Sequence, residues 1–473
     1  MASSPISSTS KVLLRSIRPF TSLAHVTTAP IRCLAGQQQQ RREFSFTAPS
    51  EAVKAKSTAL KKKVAVRKKT SSGPRSTGGK RKGGADSSAN LSRTTEFHQQ
   101  SPDLSDLVEF NSENVTKDAV SHIMAWNKRA LGAFKNFGLP RELAREQSTQ
   151  SRPRTLVRPQ TISLLDTLDA SSNSKESTRS ILVGEKGCGK SVLMTQGVSY
   201  ALDEGWAVVY LPKAIDLINS SSPYVYSQTQ LTYLQPSLTR ALITSILEVN
   251  SSILKTLSTT EPTQLERSSK VEAGTPLDKL ARLGLDETLN PAARHQVLEA
   301  LVKGLASQTK VPVLFAIDDL QALFLPSLYR DPDYEILQSY ELGLPRMLLS
   351  LLTPKDSPFA LRRGAFLGAL SGTHTEFPVP AELSASLNLA LDSSKVHPYT
   401  PFNPTHLAHA QCGLKAIHVG QPLSKTEAAA IFAQLIRERA YWTATNDEFF
   451  LSKFVESAGN ARTFQKSLLS SLI

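Results

Sequence analysis

The chain has 473 residues, 40% hydrophobic and 20% charged, enough for one large domain with appendages or for two domains. Its net charge of +14 is unevenly placed: residues 1–93 carry 19 Lys/Arg against 3 Asp/Glu and the remainder 36 against 38, which excludes a uniformly basic nucleic-acid enzyme and leaves a near-neutral body behind a basic segment. The cysteines Cys33, Cys188 and Cys412 have no metal-ligand spacing and imply no disulfide framework, and no apolar run approaches the roughly 20 residues of a membrane span.

Residues 1–42 hold Lys11, Arg15, Arg18, Arg32, Arg41 and Arg42, many Ser and Thr, and no Asp or Glu. Val12, Leu13, Leu14, Ile17 and Phe20 gather on one side of a helix whose other side carries Lys11, Arg15 and Arg18. This amphipathic, acid-poor pattern predicts a mitochondrial transit peptide over 1–45 and a matrix location, with processing after Arg42 or Phe44. Residues 46–93 read as a disordered basic tail. Lys61-Lys62-Lys63, Arg67-Lys68-Lys69 and Lys80-Arg81-Lys82 stand among Ser, Gly, Thr and Ala, with too little apolar area to offset chain entropy. Cations without aromatics suit phosphate-backbone contacts rather than base reading, and a plain solvated spacer accounts for them as well.

An N-terminal helical extension is expected over 94–150. Val115 to Phe137 has helical periodicity through Val120, Ile123, Met124, Leu131 and Phe134, and Leu139-Pro140 ends it. A nucleotide-binding domain follows over 151–395. It opens with a short helix, Thr161 to Leu168, and a Ser-rich turn at Ser171–Ser174. Strand Ser180–Val183, helix Ser191–Asp203 and strand Trp206–Tyr210 come next, with Gly205 closing the helix. Leu238 to Leu257 is helical, 258–290 is polar and loop-like with helical pieces, and Pro291 to Ser307 is helical. Val313–Ile317 and Ala365–Leu370 are buried strands by their continuous apolar content. The alternation predicts an α/β fold with a mostly parallel, doubly wound sheet whose ligand lies beyond the strands' C-terminal ends. Residues 396–473 form a mainly helical C-terminal subdomain.

Gly184-Glu185-Lys186-Gly187-Cys188-Gly189-Lys190-Ser191 reads G-x-x-x-x-G-K-S between an apolar strand and a helix that continues into Val192. That is the phosphate-loop pattern in its required setting: glycines let N–H groups surround phosphate oxygens, and the helix N-terminus adds its dipole. Lys190 is expected to reach the β- and γ-phosphates of a GTP, GDP or ATP, and Ser191 to hold Mg2+. Cys188 fills a variable slot of the loop. Val313–Ile317 ends in Asp318-Asp319, an apolar strand closed by acid, so Asp318 is a second Mg2+ ligand; a helix N-cap also explains it.

Asp319 departs from the Glu that ATPases of the AAA+ class carry at this place to orient the attacking water. Asp is one methylene shorter, and base geometry governs efficiency, so turnover should be slow. It is the only catalytic candidate. Ser371 and Thr373 end the next strand, where a polar residue near the γ-phosphate belongs; a strand-end turn explains them equally. Gly459-Asn460-Ala461-Arg462 opens a C-terminal helix through Leu469, with Arg462 a γ-phosphate candidate or a surface charge and Asn460 a possible cap. No Arg occurs from Gly364 to Ile436, the region from which ring-forming AAA+ enzymes supply an arginine finger. This speaks against a homo-oligomeric ring and for a nucleotide held rather than turned over. An N-K-x-D guanine signature is missing, since Asn127-Lys128 runs into Arg129-Ala130. Arg154 to Gln160 lies where AAA+-like folds often wrap the base, without settling guanine against adenine.

The phosphate loop, the strand Trp206–Pro212, Asp216-Leu217, Tyr226 and Gln235-Pro236 before a long helix recur in an order that resembles the death-associated protein 3 family, the mitochondrial small-subunit ribosomal protein 29 family, over roughly 135–473. The resemblance implies an AAA+-like phosphate-loop fold built into the head of the mitochondrial small ribosomal subunit. It also implies small-subunit rRNA and ribosomal proteins as partners, bridges to the large subunit, and guanine nucleotide binding, with Lys190 and Ser191 on phosphate and Mg2+. An active mitochondrial AAA+ ATPase and a signalling switch NTPase are the other readings of the same motifs.

Overall fold

Apolar runs bounded by turn residues build the centre of the molecule. The computed structural model describes residues 104–174, 177–267, 270–353, 359–389, 401–438 and 445–470. The expected leader over 1–45 and the expected basic tail over 46–93 lie outside them. Five strands pair in parallel: β1 (Thr178–Val183), β2 (Ala207–Leu211), β3 (Val313–Ile317), β4 (Gly364–Ala369) and β5 (Lys415–His418), in the spatial order β5-β1-β4-β3-β2. Every residue of β3 and β4 is buried, as in strands covered on both faces. The pleat sends alternate residues to opposite cores. Ile181, Val209, Phe315 and Phe366 pack on α3 (Pro236–Leu254) and α4 (Pro291–Ser307), while Leu182, Val208, Leu314 and Leu367 pack on α1 (Pro159–Asn173) and α2 (Lys190–Asp203).

The connection from β1 runs to β2 at the far edge, and the one from β4 passes β1 to reach β5 at the other. The loops after adjacent strands β1 and β4 therefore leave in opposite directions, which opens a crevice at their C-terminal ends. The phosphate-loop motif fills one side of it and Ser371 to Thr373 the other.

Three expected elements differ. Val115 to Phe137 is not one helix: Ile123–Trp126 is a strand, paired with both Glu109–Phe110 and Arg154–Leu156, and Asn127 caps a helix that starts at Lys128 by accepting from Ala130 N at 2.7 Å. Its apolar spacing suited either structure, and pairing on two sides favoured the strand. The helix at Thr161 begins at Pro159 and runs to Asn173, through the Ser-rich stretch, because Ser171 and Ser172 return their hydroxyls to the carbonyls of Leu168 and Asp169. Strand β5 had no counterpart in the sequence reading. It is a four-residue edge strand with no fully buried residue, too short and too exposed for its alternation to stand out.

The segment after β5 forms α5 (Lys425–Arg437), α6 (Asp447–Glu456) and α7 (Ala461–Ser470) around a small core of Leu423, Ala428, Phe432, Leu435, Phe450, Phe464 and Leu468. No helix among the described residues is long and apolar enough to cross a membrane.

Candidate functional site

The loop leaving β1 is shaped by backbone angles that favour glycine. Gly187 and Gly189 sit at φ 86° and 102°. A Cβ on Gly187 would lie 2.6 Å from Asn460 Oδ1 and 2.9 Å from Arg462 Cβ, so the C-terminal bundle leaves room only for hydrogen. A Cβ on Gly189 meets nothing within 4 Å: the backbone angle demands glycine there, and the space it faces is open.

The loop's carbonyls are accounted for one by one. Lys190 Nζ donates to Gly184 O at 2.8 Å and to Glu185 O at 2.7 Å. Asn460 Nδ2 donates to Lys186 O at 2.8 Å, the backbone N–H of Arg462 to Gly187 O at 3.1 Å, and Arg158 Nη1 to Cys188 O at 3.2 Å. In a trans peptide the C=O and the following N–H point in opposite directions. Holding the carbonyls of 186, 187 and 188 from outside therefore turns the amides of Gly187, Cys188 and Gly189 to the other, concave side, at the N-terminus of α2. Such a row of amides makes an anion-binding concavity.

Beneath the loop stand the acids. Asp318, 2% exposed, lies beside the hydroxyl of Ser191 and accepts at 2.9 Å from the backbone N–H of Asp319. Burial, together with the charge of Asp319, pushes its carboxyl up to about 7. Asp319 takes a left-handed φ of 57°, stands beside Ser371, and is raised to about 6, chiefly by burial. Ser371 is fixed in turn: its hydroxyl lies 2.6 Å from that of Thr373, and fully buried Gln321 brackets its backbone with two 3.0 Å hydrogen bonds. Lys190 is lowered by burial, and among the charges it feels are Asp318, which raises it, and Arg462, which lowers it further. Tyr210, buried beside both acids, has a hydroxyl with no protein partner among the described residues.

The structure thus gathers Gly184, Gly187, Cys188, Gly189, Lys190, Ser191, Asp318, Asp319, Ser371 and Arg462 around one crevice. Glu185 and Lys186 contribute backbone there, with their side chains exposed. Val192 lies in the first turn of α2. Asn460, the expected cap, accepts from Thr463 N at 3.2 Å at the start of α7, besides its bond to the loop. Arg154 to Gln160 commits its charged side chains to protein partners. Arg154 pairs with Glu438, Arg158 with Glu427, and Gln160 donates to Gln421.

A family model described as mitochondrial ribosomal death-associated protein 3 matches residues 155–467, which takes in α1, the sheet, the loop and the C-terminal bundle. The chain belongs to that family. Relatives carry the name small ribosomal subunit protein mS29. One, from Schizosaccharomyces pombe, is 24% identical over 398 residues, 80% of each chain. Another, from Neurospora crassa, is 23% identical over 322 residues, 65% of this chain and 66% of that one. A third, from Mus musculus, is 21% identical over 216 residues, 46% of this chain and 55% of that one. The family is a mitochondrial one, in agreement with the address expected from residues 1–45.

Members of the site escaped sequence reasoning. Arg158 carried only its place within the segment Arg154 to Gln160, and Gln321 nothing beyond its place after the acids. Glu427 was visible as the last residue of Ser424-x-x-Glu427, a capping box. That signal gives the start of α5 but not the arginine its second oxygen accepts from.

Proposed function

We propose that the chain is a structural component of the small subunit of the mitochondrial ribosome, where it takes part in translation, and that its loop 184–191 holds a purine nucleotide, GTP, GDP or ATP, with Mg2+. The family and its relatives' names support the first half. The second half rests on one observation: the outward hold on the carbonyls of 186 to 188, which leaves three consecutive amides aimed into the crevice at the mouth of α2.

The residues present fit the group. Gly187, Cys188 and Gly189 would receive phosphate oxygens through their N–H groups. Lys190, now satisfied by two loop carbonyls, would turn its ammonium to the β- and γ-phosphates. Ser191 and Asp318 already stand side by side, and would bind Mg2+ through the hydroxyl and carboxylate oxygens. The dication supplies the charge that favours the ionised carboxylate over the buried neutral one. The unpaired hydroxyl of Tyr210 beside the acids suits a site that is hydrated when loaded. The sheet's reversal beside β1 and a helical bundle touching the loop support an AAA+-like phosphate-loop fold.

Turnover is poorly served. Asp319 is short, and its backbone is left-handed. The region Gly364 to Ile436 offers no Arg to a neighbouring copy, which suits a protein that forms no homo-oligomeric ring. The nucleotide's role in this reading is to stabilise, and a resident ligand at a thousandfold excess over Kd adds about 4 kcal/mol. Small-subunit rRNA and neighbouring ribosomal proteins are the partners, with the large subunit reached through bridges. Acid extraction of natively isolated small subunits should release one purine nucleotide per copy of this chain. Subunits without it, or hydrolysis by purified chain at several per second, would refute the reading.

A further inference from the structure

The C-terminal bundle does more than cover the crevice. Its main helix, α5, is fastened at both ends to one short segment of the chain. At its N-terminus, Arg158 Nε donates to Glu427 Oε1 at 3.2 Å, while the other oxygen of Glu427 accepts from Ser424 N at 2.8 Å. At its C-terminus, Arg154 grips Glu438 with both terminal nitrogens. The four side chains are 13% exposed or less. Four extended residues from 154 to 158 reach about 13–14 Å, and eleven helical residues from 427 to 438 about 16 Å. The segment and the helix therefore run side by side in opposite directions, joined at each end by a buried ion pair. Arg158 goes further: Nη2 donates to Gln421 O at 3.0 Å and to Pro422 O at 3.3 Å, and Nη1 to Cys188 O in the loop. One guanidinium thus joins the phosphate loop, the connector from β5 and the start of α5.

We propose that Arg158 is a positioning residue of the loop and that, with Arg154, it straps the C-terminal bundle down, so that nucleotide leaves only when the two Arg–Glu pairs part. Two of the three carbonyls held from outside are held by the bundle itself, through Asn460 and Arg462. Lifting the bundle frees those peptides to rotate, and the amides that face the phosphates lose their aim. A buried ion pair is costly to open one partner at a time, because the remaining charge stays desolvated. Two in series make a latch whose release is slow. This rests on the nucleotide reading above and adds the control of exchange.

The test uses the full chain and two probes, N-methylanthraniloyl GDP and N-methylanthraniloyl ADP, each with Mg2+. Bound probe is chased with excess unlabelled nucleotide and its dissociation followed. Glu438→Gln, remote from the loop, and Glu427→Gln should each speed dissociation roughly tenfold with association nearly unchanged, the pattern in which affinity is lost through the off-rate. A lower melting temperature with unchanged dissociation would make the pairs structural only and overturn the proposal. Hydrogen exchange on the unmutated chain gives a second measure: probe binding should slow the amides of Lys425–Arg437, and equal rates with and without probe would also overturn it. If neither probe binds the unmutated chain, the nucleotide reading itself falls, before any chase is made.

Discussion

The parallel sheet and the C-terminal bundle meet at the same crevice but are held together in different ways. The sheet is covered on both faces: β3 contributes five buried residues out of five, and two cores drawn from eight or more elements close over it. Among the described residues the bundle has seven buried apolar side chains in its core, and it leans on Arg154, Arg158 and Asn460 for its attachment. Local stability follows buried apolar contact, so the sheet sets the global unfolding free energy and the bundle opens first. The mouth that would hold the nucleotide has one wall of each kind, a fixed wall on β1 and β3 and a releasable one on α7.

That contrast is open to attack with one large truncation on each side. Phe315→Ala, in a site 2% exposed at the middle of the sheet, should cost about 3–5 kcal/mol in urea unfolding of the whole body. Phe464 is fully buried and edge-on to Phe450 and Phe454 at 6.1 and 6.2 Å, and Phe464→Ala removes as many atoms. Its expected effect is local: limited proteolysis should cut within 423–470 while the main urea transition keeps its midpoint. A common loss of stability in both variants would show one cooperative unit and end the comparison.

Lys190→Ala is next in size. It removes the side chain that reaches back from α2 over the loop, at 2.8 and 2.7 Å from its carbonyls. Nucleotide affinity should fall by at least about a hundredfold, since charge-assisted contacts to phosphate are among the strong ones. The thermal shift produced by added nucleotide should vanish, and calorimetry of titrated GDP and ADP would check the first point. Retained nucleotide in this variant would move the ligand away from the loop.

The acid wall gives a smaller effect with a defined sign. Asp318 has a carboxyl raised to about 7 from an ordinary 3.8, so the ligand-free folded state binds its proton more tightly than the unfolded chain does. Stability of the ligand-free protein should therefore decline as pH rises from about 4 through 7, with Asp319, raised to about 6, adding to the decline. Asp318→Asn abolishes its own share of that slope. The variant should melt a few degrees higher than the unmutated chain at pH 8 without ligand, yet lose the further gain from Mg2+ and nucleotide. Equal slopes of melting temperature between pH 5 and 8 would mean that Asp318 is ionised throughout.

How much of this was legible depended on how local its causes are. The strands β1, β3 and β4 and the helix α4 follow from apolar runs and caps within a few residues, and the sequence reading placed them to within about two residues, the scatter expected of helix and strand ends. The loop and the pair Asp318-Asp319 stood out because the phosphate-loop pattern fixes residue type and spacing together, and the fold brings Lys190 near Asp318. Ile123–Trp126 was misread because its apolar spacing suits a helix, and the strands that pair with it come from either side in sequence. β5 and Arg158 share that difficulty. The meaning of Arg158 lies in Cys188, Gln421, Pro422 and Glu427, as many as 269 residues away, and only the folded chain brings them together.

The smallest test acts on the releasable wall alone. Ser424 accepts from Glu427 N at 3.2 Å, and Glu427 accepts in return from Ser424 N, so the first turn of α5 is closed by a reciprocal pair. Ser424→Ala removes one half of the box while leaving Glu427 paired with Arg158. The cost should be about 0.5–2 kcal/mol, and if the bundle opens independently it should appear there and nowhere else. Amide exchange within Lys425–Arg437 should quicken in proportion, and exchange in β3 and α4 should keep its rate. A change that spread into β3 would show that the cap stabilises the sheet as well, and the two walls would then be parts of a single one.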